Sequence, residues 1–377
     1  MGGYRADTLA AAGNPAISDG PPTTPDVEFE LWRNAVRHAV LASASEYVNT
    51  RCVAELTGAG IDGAGDVVAQ FIGGGKCLRS TFMYLGWLCG ADSDQCALRA
   101  AASLELLHAF ALLQDDVMDD SVLRRGRPSA HVQFADWHRE RGLSGSSRRF
   151  GEAAAILLAD LCLVWAEQMM RESGVGQRAL ERAWPRYDAM RVELAVGQLA
   201  DVANDARRPP TMQTVLDVAR RKSGNYTVRR PLEIGAAMAG RDDVLSALGH
   251  YGTAIGEAFQ LRDDILGVFG SASVTGKPSG NDLSEHKATS VVVAAYQMAD
   301  MTIRRQLVEL MNTEDVDSAA IARWRTLIVA TGSVQWIEDA IADRVTKAHE
   351  CIAMSHIDPS VQMALANMAA ACTVRAM

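Results

Sequence analysis

Residues 104–120 read LELLHAFALLQDDVMDD, an apolar helical stretch that ends in four aspartates. On a helix, Asp115 and Asp119 lie one turn apart on the same face, and so do Asp116 and Asp120. Four like charges repel each other and destabilise a helix end unless cations neutralise them. Mg²⁺ typically binds one or two carboxylates together with substrate phosphates. Taken alone, the stretch fits a metal site and a solvated acidic helix end equally well.

A second acidic pair follows another apolar segment. Residues 259–264 read FQLRDD, and they close an apolar helical run that begins near Leu245. Two aspartate pairs, each at the end of an apolar helix, suggest two facing walls of one pocket. The alternative is coincidence, because Arg262 and Asp263 could form a simple surface ion pair. Two metal-bearing walls would clamp a diphosphate and stabilise it as it leaves.

The rest of the chain predicts an all-α fold. Of the 377 residues, 48% are hydrophobic, which is ample for a large core. From Val27 onward apolar residues recur at helical spacing, and strand patterns are hard to find. We expect ten or more helices in a single domain over residues 26–377, after a disordered tail at residues 1–25 that is rich in Gly, Pro and Ala. Polar residues predict loops at 139–151 and 267–285.

Charge and cysteine content exclude several classes of protein. The formal net charge of −9 argues against a broad surface for nucleic acid or anionic membrane. The seven cysteines are odd in number and show no C-x-x-C spacing, which is typical of a reduced cytoplasmic protein. Neither a secretory signal nor a membrane-spanning stretch is expected from the sequence. The sequence therefore predicts a cytoplasmic protein without stable membrane insertion.

Basic residues near the first acidic stretch could bind phosphate. Residues 124–128 read RRGRP, and arginine offers bidentate geometry to phosphate oxygens. Arg127 fits a surface turn better. Residues 73–79 read GGGKCLR and place Lys76 and Arg79 at a predicted helix start, where phosphates are favoured. The segment is not a Walker loop, because its spacing is wrong and no strand precedes it.

Three further groups carry little weight when each is taken singly. His108 lies seven residues, or two helical turns, before Asp115. A lone histidine on an apolar helix is more often a satisfied core residue than a ligand. The segment Lys222-Ser223 and the residue Lys277 are likewise unremarkable alone. They gain meaning only from the whole arrangement.

Taken together, the ordered motifs resemble those of the trans-isoprenyl diphosphate synthases, particularly bacterial short-chain farnesyl and geranylgeranyl diphosphate synthases. The resemblance runs from about Phe71 to Thr289. The matching blocks are GGGKCLR, LELLHAFALLQDDVMDD, RRGRP, AILLADL, GQLAD, RKSGNYTV, FQLRDDILGVFG and TGKPSGNDLSEHK. The resemblance implies the isoprenoid synthase fold, with helices around a deep central cavity, a homodimer and three Mg²⁺ ions per active site. It also implies a prenyltransferase that joins isopentenyl diphosphate to an allylic diphosphate (dimethylallyl, geranyl or farnesyl).

The resemblance assigns expected roles to individual residues. Those expected to bind isopentenyl diphosphate are Lys76, Arg79, His108 and Arg125. Those expected to hold the allylic diphosphate are Arg124, Lys222, Ser223, Gln260 and Lys277. The expected metal ligands are Asp115, Asp116, Asp119, Asp263 and Asp264. Stabilisation of the leaving diphosphate is expected from the metal-binding Asp115, Asp119 and Asp263, with Arg124, Lys222 and Lys277.

The same resemblance bears on product length. Bulk at Phe110 and Ala111 is expected to help set the floor of the cavity. Phe110 lies five residues before Asp115, about 7.5 Å along the helix axis. One large and one small residue predict a short product, farnesyl or geranylgeranyl diphosphate, with geranylgeranyl favoured. The alternative is that Phe110 is ordinary core packing.

Departures from the family pattern leave two rival functions open. Gly267 stands where the second acidic motif usually ends in aspartate, and Ser284 and His286 alter the segment expected to close the site. A non-catalytic partner subunit of a prenyl synthase would tolerate these changes, although the retained aspartates argue against it. A class I terpene cyclase would share the fold but needs no second diphosphate site.

Overall fold

The structure is a computed structural model, and it describes residues 20–22, 27–57, 60–61, 63–203, 210–271, 279–313 and 316–374. Almost all of the tail expected at residues 1–25 lies outside these ranges. The all-α prediction is confirmed within them, since helices form most of the structure and the strands recorded there make one short hairpin.

The helices run in the order α1 Val27–Tyr47, α2 Val53–Thr57, α3 Ala64–Ile72, α4 Leu78–Leu88, α5 Gln95–Met118, α6 Ala130–Glu140, α7 Ser147–Arg171, α8 Gln177–Val202, α9 Met212–Ala219, α10 Arg230–Met238, α11 Leu245–Phe269, α12 Asn281–Ser284, α13 Ser290–Met298, α14 Met301–Met311, α15 Ser318–Ala330, α16 Ser333–Ala353 and α17 Pro359–Thr373. A π-helical turn, Val48–Cys52, joins α1 to α2, and a 3₁₀ turn, Asp242–Val244, precedes α11.

Helix α5 is the centre of the main core. Asp94 caps its first turn, because the Asp94 side chain accepts a hydrogen bond from the amide of Ala97. The small residues Ala100–Ala102 and Ala109 are fully buried, which lets neighbouring helices approach α5 closely. Helices α1, α4, α6 and α7 pack around it. A second cluster of buried residues joins the end of α11 to α13–α16.

A π-helical segment, Arg220–Arg229, connects α9 to α10 without a break. Such segments are rare and occur frequently at functional sites. It packs against α8 at Gly197, where an added Cβ atom would lie only 2.5 Å from the amide nitrogen of Lys222. Glycine at 197 therefore sets how closely the Lys222 backbone approaches α8.

A two-stranded hairpin follows α5. Strands β1 (Leu123–Arg124) and β2 (Arg127–Pro128) pair antiparallel around a turn in which Arg125 and Gly126 have φ angles of 53° and 73°. The hairpin turns the chain back after α5 and carries the arginines of the RRGRP motif.

Two predicted boundaries were wrong. The loop expected at 139–151 is shorter, because α7 begins at Ser147 with its first turn capped by Ser146. The second aspartate pair does not end its helix, since α11 continues to Phe269 before Gly270 stops it. At the first place the helix begins within polar residues that local composition assigns to a loop, and at the second it continues through the apolar residues 265–269 beyond the aspartates.

Two helices, α5 and α7, are long and apolar enough to cross a membrane by length and composition alone. In the fold, 67% of the most apolar stretch of α5 is buried and 44% of that of α7. Core helices have the same length and composition, so the finding is weak support for a membrane span.

Candidate active site

A cavity of about 1540 Å³ opens between α5, α7, α8 and the π-helical segment. It brings together most of the residues expected at the site. Of these, the residues that line the cavity are Lys76, Arg79, His108, Phe110, Ala111, Asp115, Arg125, Lys222, Ser223 and Asp263. Lys277 lies outside the described residues, so its expected role stays a prediction.

Four basic residues form one end of this cavity, the basic pocket: Lys76, Arg79, His108 and Arg125. Lys76 and Arg79 flank the start of α4, where Cys77 takes a left-handed φ of 48° and turns the chain into the helix. The Arg125 guanidinium donates from Nη1 to the carbonyl of Gly73 at 2.8 Å. The hairpin therefore fixes Arg125 against the loop that carries Lys76.

Two buried polar atoms of the basic pocket are available to form hydrogen bonds with a ligand. Nε of Arg79 and Nδ1 of His108 are buried and have no hydrogen-bond partner among the described residues. The Arg79 guanidinium lies 4.3 Å from the ring centroid of Tyr226, which holds it by a cation–π contact. Buried polar groups are normally paired, so these two atoms indicate a site for an anion.

Electrostatics keep His108 neutral. Burial lowers its pKa well below the ordinary value, and the nearby Arg79, Arg125 and Arg124 lower it further. Glu105 lies one turn earlier on α5, and it accepts a hydrogen bond from Ser80 Oγ at 2.6 Å. Burial raises the Glu105 pKa, while Ser80 and the arginines oppose the shift. The sequence analysis did not single out Glu105, although it stands in the quoted motif.

Asp115 is the aspartate of the first motif that faces the main cavity. Its carboxylate accepts hydrogen bonds from Lys222 Nζ at 3.2 Å, Arg124 Nη2 at 3.2 Å and Gln198 Nε2 at 3.3 Å. Burial alone would raise its pKa, but Lys222, Arg124 and Lys287 outweigh it and lower the pKa to about 2. The Asp115 carboxylate is therefore ionised and ready to bind a cation.

The neighbouring aspartates point elsewhere. Asp116 is completely buried and accepts a hydrogen bond from Arg124 Nε at 2.8 Å, so it ties the hairpin to α5. Asp120 is exposed and lies 3.4 Å from Arg148 Nη2. Adjacent positions of one motif thus have different surroundings, and the expected metal role of Asp116 stays a prediction.

Two lysines occupy the acidic end of the site, where the aspartates of α5 meet those of α11. Lys222 Nζ lies 2.6 Å from Asp201 Oδ2 as well as near Asp115. Lys287 Nζ contacts Asp119 Oδ2 at 2.6 Å and Glu285 Oε2 at 2.9 Å. Burial lowers the pKa of each lysine, but the surrounding carboxylates outweigh it and raise both pKa values.

Sequence reasoning missed Asp201 and Lys287 as site residues. Asp201 ends the GQLAD motif and Lys287 ends the TGKPSGNDLSEHK motif, so both signals were present. Both residues line a smaller adjoining cavity of about 310 Å³, together with Asp119, Lys222, Ser223, Gln260 and Asp264.

The aspartates of α11 differ from each other as well. Asp263 lines the main cavity. Asp264 is buried and accepts hydrogen bonds from Gln260 Nε2 at 2.7 Å, Ser290 N at 2.9 Å and Ser290 Oγ at 2.6 Å. Burial raises its pKa, against the effect of these donors. Gln260, expected to hold the allylic diphosphate, thus contacts Asp264 directly.

The donor set fits divalent cations such as Mg²⁺. Asp115, Asp119 and Asp263 supply the carboxylate oxygens that Mg²⁺ prefers. The ammonium groups of Lys222 and Lys287 lie against Asp115 and Asp119, which shows that the fold already accommodates positive charge at these carboxylates.

Comparisons with known proteins identify the family of this chain. The profile of the polyprenyl synthetase family matches residues 64–328. The geranylfarnesyl diphosphate synthase of Aeropyrum pernix is 31% identical over 286 residues, which cover 74% of this chain and 83% of that protein. The geranylgeranyl diphosphate synthase of Mycobacterium tuberculosis is 33% identical over 253 residues, which cover 65% of this chain and 67% of that protein.

A solved structure is similar over almost the whole fold. The geranylgeranyl pyrophosphate synthase from Corynebacterium glutamicum, complexed with isoprenyl diphosphate and magnesium, matches with a TM-score of 0.83 and 32% identity. The match covers 90% of this chain and 98% of that one. The chain belongs to the polyprenyl synthetase family and has the isoprenoid synthase fold. It is a short-chain prenyl diphosphate synthase, and thus a prenyltransferase.

Proposed function

We propose that this enzyme joins isopentenyl diphosphate to an allylic diphosphate and releases geranylgeranyl diphosphate as its main product. The observation that carries the proposal is one cavity with two differently charged ends. The basic pocket suits a diphosphate that binds without a metal, and the acidic end suits a diphosphate that binds through Mg²⁺. Two diphosphates in one cavity are what a condensation of two such substrates requires.

The residues of the basic pocket would hold isopentenyl diphosphate. Arg79 and Arg125 offer guanidinium groups to the phosphates, and Lys76 adds an ammonium at the start of α4. His108 is neutral, so its Nδ1 can take part in a hydrogen bond without adding charge. Holding this substrate near the allylic carbon converts a bimolecular step into an effectively unimolecular one.

The acidic end would bind the allylic diphosphate. Mg²⁺, which we propose binds as three ions, would neutralise the diphosphate and stabilise the charge that develops as it leaves. Lys222 lies beside Asp115 and would share that charge directly. Arg124 would act through its contacts with Asp115 and Asp116. The double bond of isopentenyl diphosphate would then attack the allylic cation, and a proton would pass to the released diphosphate.

The apolar middle of the cavity supports a prenyl chain. Phe110 and Ala111 line it on α5, and Leu163, Leu194 and Leu199 line it from α7 and α8. Excluding water there would protect the cation from hydrolysis. Phe110 is partly exposed to this space, which favours a role in limiting product length over ordinary core packing.

We also propose that the enzyme is a homodimer that uses α7 and α8. Large apolar side chains outside the cavity are exposed on both helices in the single chain, among them Leu157 (64%), Val164 (51%) and Val192 (62%). Exposed apolar surface of this kind is typical of protein interfaces. Sedimentation velocity of Leu157→Lys against the unmodified protein tests the proposal, and a dimer that persists unchanged in the variant would argue against this face.

The basic pocket also separates the proposal from its rivals. A class I terpene cyclase needs only the acidic end, so it has no use for four converging basic residues. A non-catalytic partner subunit has no need of an ionised Asp115, nor of lysines placed against Asp115 and Asp119. Incubating the purified protein with isopentenyl diphosphate plus dimethylallyl, geranyl or farnesyl diphosphate tests all three. Geranylgeranyl diphosphate is expected from each starter, while a cyclic hydrocarbon or no product would overturn the proposal.

A further inference from the structure

Gly267 lies one helical turn after Asp263 on α11, on the same face of the helix. Its neighbour across space is Asp282, on the short helix α12. A Cβ atom added to residue 267 would lie only 2.5 Å from Cγ of Asp282, and closer still to Oδ2. The Asp282 carboxylate therefore fills the space that a side chain at position 267 would otherwise take.

Residues 279–289, which include Asp282, form a lid. Buried packing and hydrogen bonds to neighbouring segments hold this lid in place. Leu283 is fully buried in the second core cluster. Ser279 Oγ donates to the carbonyl of Gly270 at 2.9 Å, and Arg325 Nη2 donates to Ser279 Oγ at 2.7 Å. The carbonyl of Asp282 accepts a hydrogen bond from Lys287 N at 2.9 Å. The Asp282 carboxylate is thus placed on α11 by the packing of the lid.

The same carboxylate faces the acidic end of the site. Asp282 lines the smaller cavity together with Asp119, Asp264 and Lys287. Lys287 of the lid contacts Glu285 of the lid and Asp119 of α5, so a positive charge already lies among carboxylates from these two segments. A cation bound at the acidic end would encounter the Asp282 carboxylate at the position where a residue-267 side chain would reach.

We infer that Asp282 supplies, from the lid, the carboxylate that position 267 lacks, and that it helps to bind magnesium diphosphate at the second acidic wall. The inference rests on the proposed function for the identity of this ligand. It makes the lid a part of the metal site, so that the acidic end is complete only when the lid is seated on α11. Gly267 then leaves room for Asp282 and is no sign of a lost activity.

The test measures binding directly, by calorimetric titration of the full-length protein with inorganic diphosphate, with and without Mg²⁺. Asp282→Ala should weaken the magnesium-dependent binding on the order of 10- to 100-fold. Adding Gly267→Asp to this variant should restore much of the affinity, because the new side chain enters the space that the shortened side chain at position 282 leaves empty. Circular dichroism and thermal unfolding report whether each variant folds, and Asp282→Asn, which keeps the side-chain shape, is the second variant.

A matched control moves the charge without restoring its position. Asp282→Ala combined with Ser284→Asp restores the original net charge, but it places the carboxylate on the exposed part of the lid. This double variant should bind magnesium diphosphate as weakly as Asp282→Ala alone. Equal rescue by Ser284→Asp and Gly267→Asp would overturn the inference, since any nearby charge would then suffice. Unchanged affinity in both Asp282 variants would overturn it too. If the unmodified protein does not bind magnesium diphosphate at all, the proposed function fails with it.

Discussion

The two ends of the cavity differ in how their charges are balanced. At the acidic end, Asp115 contacts Lys222 and Asp119 contacts Lys287, so carboxylates of the first wall already have cationic partners. In the basic pocket, Nε of Arg79 and Nδ1 of His108 are buried and lack hydrogen-bond partners within the described part of the chain. The acidic end must therefore exchange contacts when metal and diphosphate bind, while in the basic pocket Arg79 Nε and His108 Nδ1 can gain contacts without losing any.

This difference has an energetic consequence. Ion pairs at the acidic end lower the cost of keeping buried carboxylates charged, and they hold the side chains in place before any ligand arrives. The basic pocket instead keeps unsatisfied polar atoms in the unliganded fold, which destabilises it slightly. Binding of a diphosphate at the acidic end should rearrange ionic contacts, and binding in the basic pocket should mainly stabilise the protein.

The largest expected effect concerns Asp115. Replacing it with alanine should lower kcat by on the order of 1,000-fold or more, because a charge-stabilising contact to the leaving diphosphate is lost. Asp263→Ala should act in the same direction from the facing helix. Steady-state kinetics with saturating isopentenyl diphosphate measure the change, and circular dichroism checks the fold.

Asp120→Ala is the matched control for Asp115→Ala. It removes an aspartate of the same motif, but that side chain is exposed and lies near Arg148. Turnover close to that of the unmodified enzyme is expected for it. Near-normal turnover of Asp115→Ala would mean that the first acidic wall does not bind the leaving diphosphate.

The second effect would separate the two ends. Arg79→Ala should raise KM for isopentenyl diphosphate on the order of 100-fold, because a charge-assisted hydrogen bond to phosphate is lost. KM for the allylic substrate should change little. Arg127→Ala is the control, since Arg127 is exposed on the hairpin and does not line the main cavity. Equal losses for both substrates would show that the two ends do not divide the substrates.

The third effect concerns the apolar space between the two ends. Phe110→Ala should lengthen the product, because it removes bulk from the wall of the cavity one and a half turns below Asp115. Its partial exposure should limit the loss of stability to roughly 2 kcal/mol, below the value for a fully buried phenylalanine. Chromatography of the prenyl alcohols released from the products measures their length. An active variant with unchanged products would move the length determinant to α7 or α8.

The α5 part of the site could be predicted from the sequence because it is local. The spacing of Asp115, Phe110 and His108 fixes their relation once a helix is assumed, and α5 is indeed a helix from Gln95 to Met118. The convergence of Lys76, Arg79 and Arg125 on this helix is not local. It was expected only because the ordered motifs resemble a known family.

The remaining features depend on tertiary packing. Asp115 and Asp116 are adjacent in the motif and both contact Arg124, but only Asp116 is fully buried, because it lies on the face of α5 that packs against the core. Lys287 reaches Asp119 across 168 residues. The contact between Gly267 and Asp282 depends on how the lid packs, which helical periodicity does not report.

The smallest effect is a pH dependence of stability that arises in the basic pocket. His108 has a pKa well below its ordinary value, first because of burial and then because of Arg79, Arg125 and Arg124. In the unfolded chain it titrates near the ordinary value, so below that pH the unfolded state binds a proton that the folded state does not. The free energy of unfolding should therefore fall by about 1.4 kcal/mol for each pH unit below roughly 6.5, until the folded pKa is reached. His108→Gln lacks this titratable group. We therefore expect the free energies of unfolding of the two proteins, measured with denaturant between about pH 8 and 5, the range of histidine titration, to diverge only on the acidic side. Parallel curves would show that His108 has the same pKa in the folded and unfolded states, and below that pKa the basic pocket would carry one more positive charge than its geometry indicates.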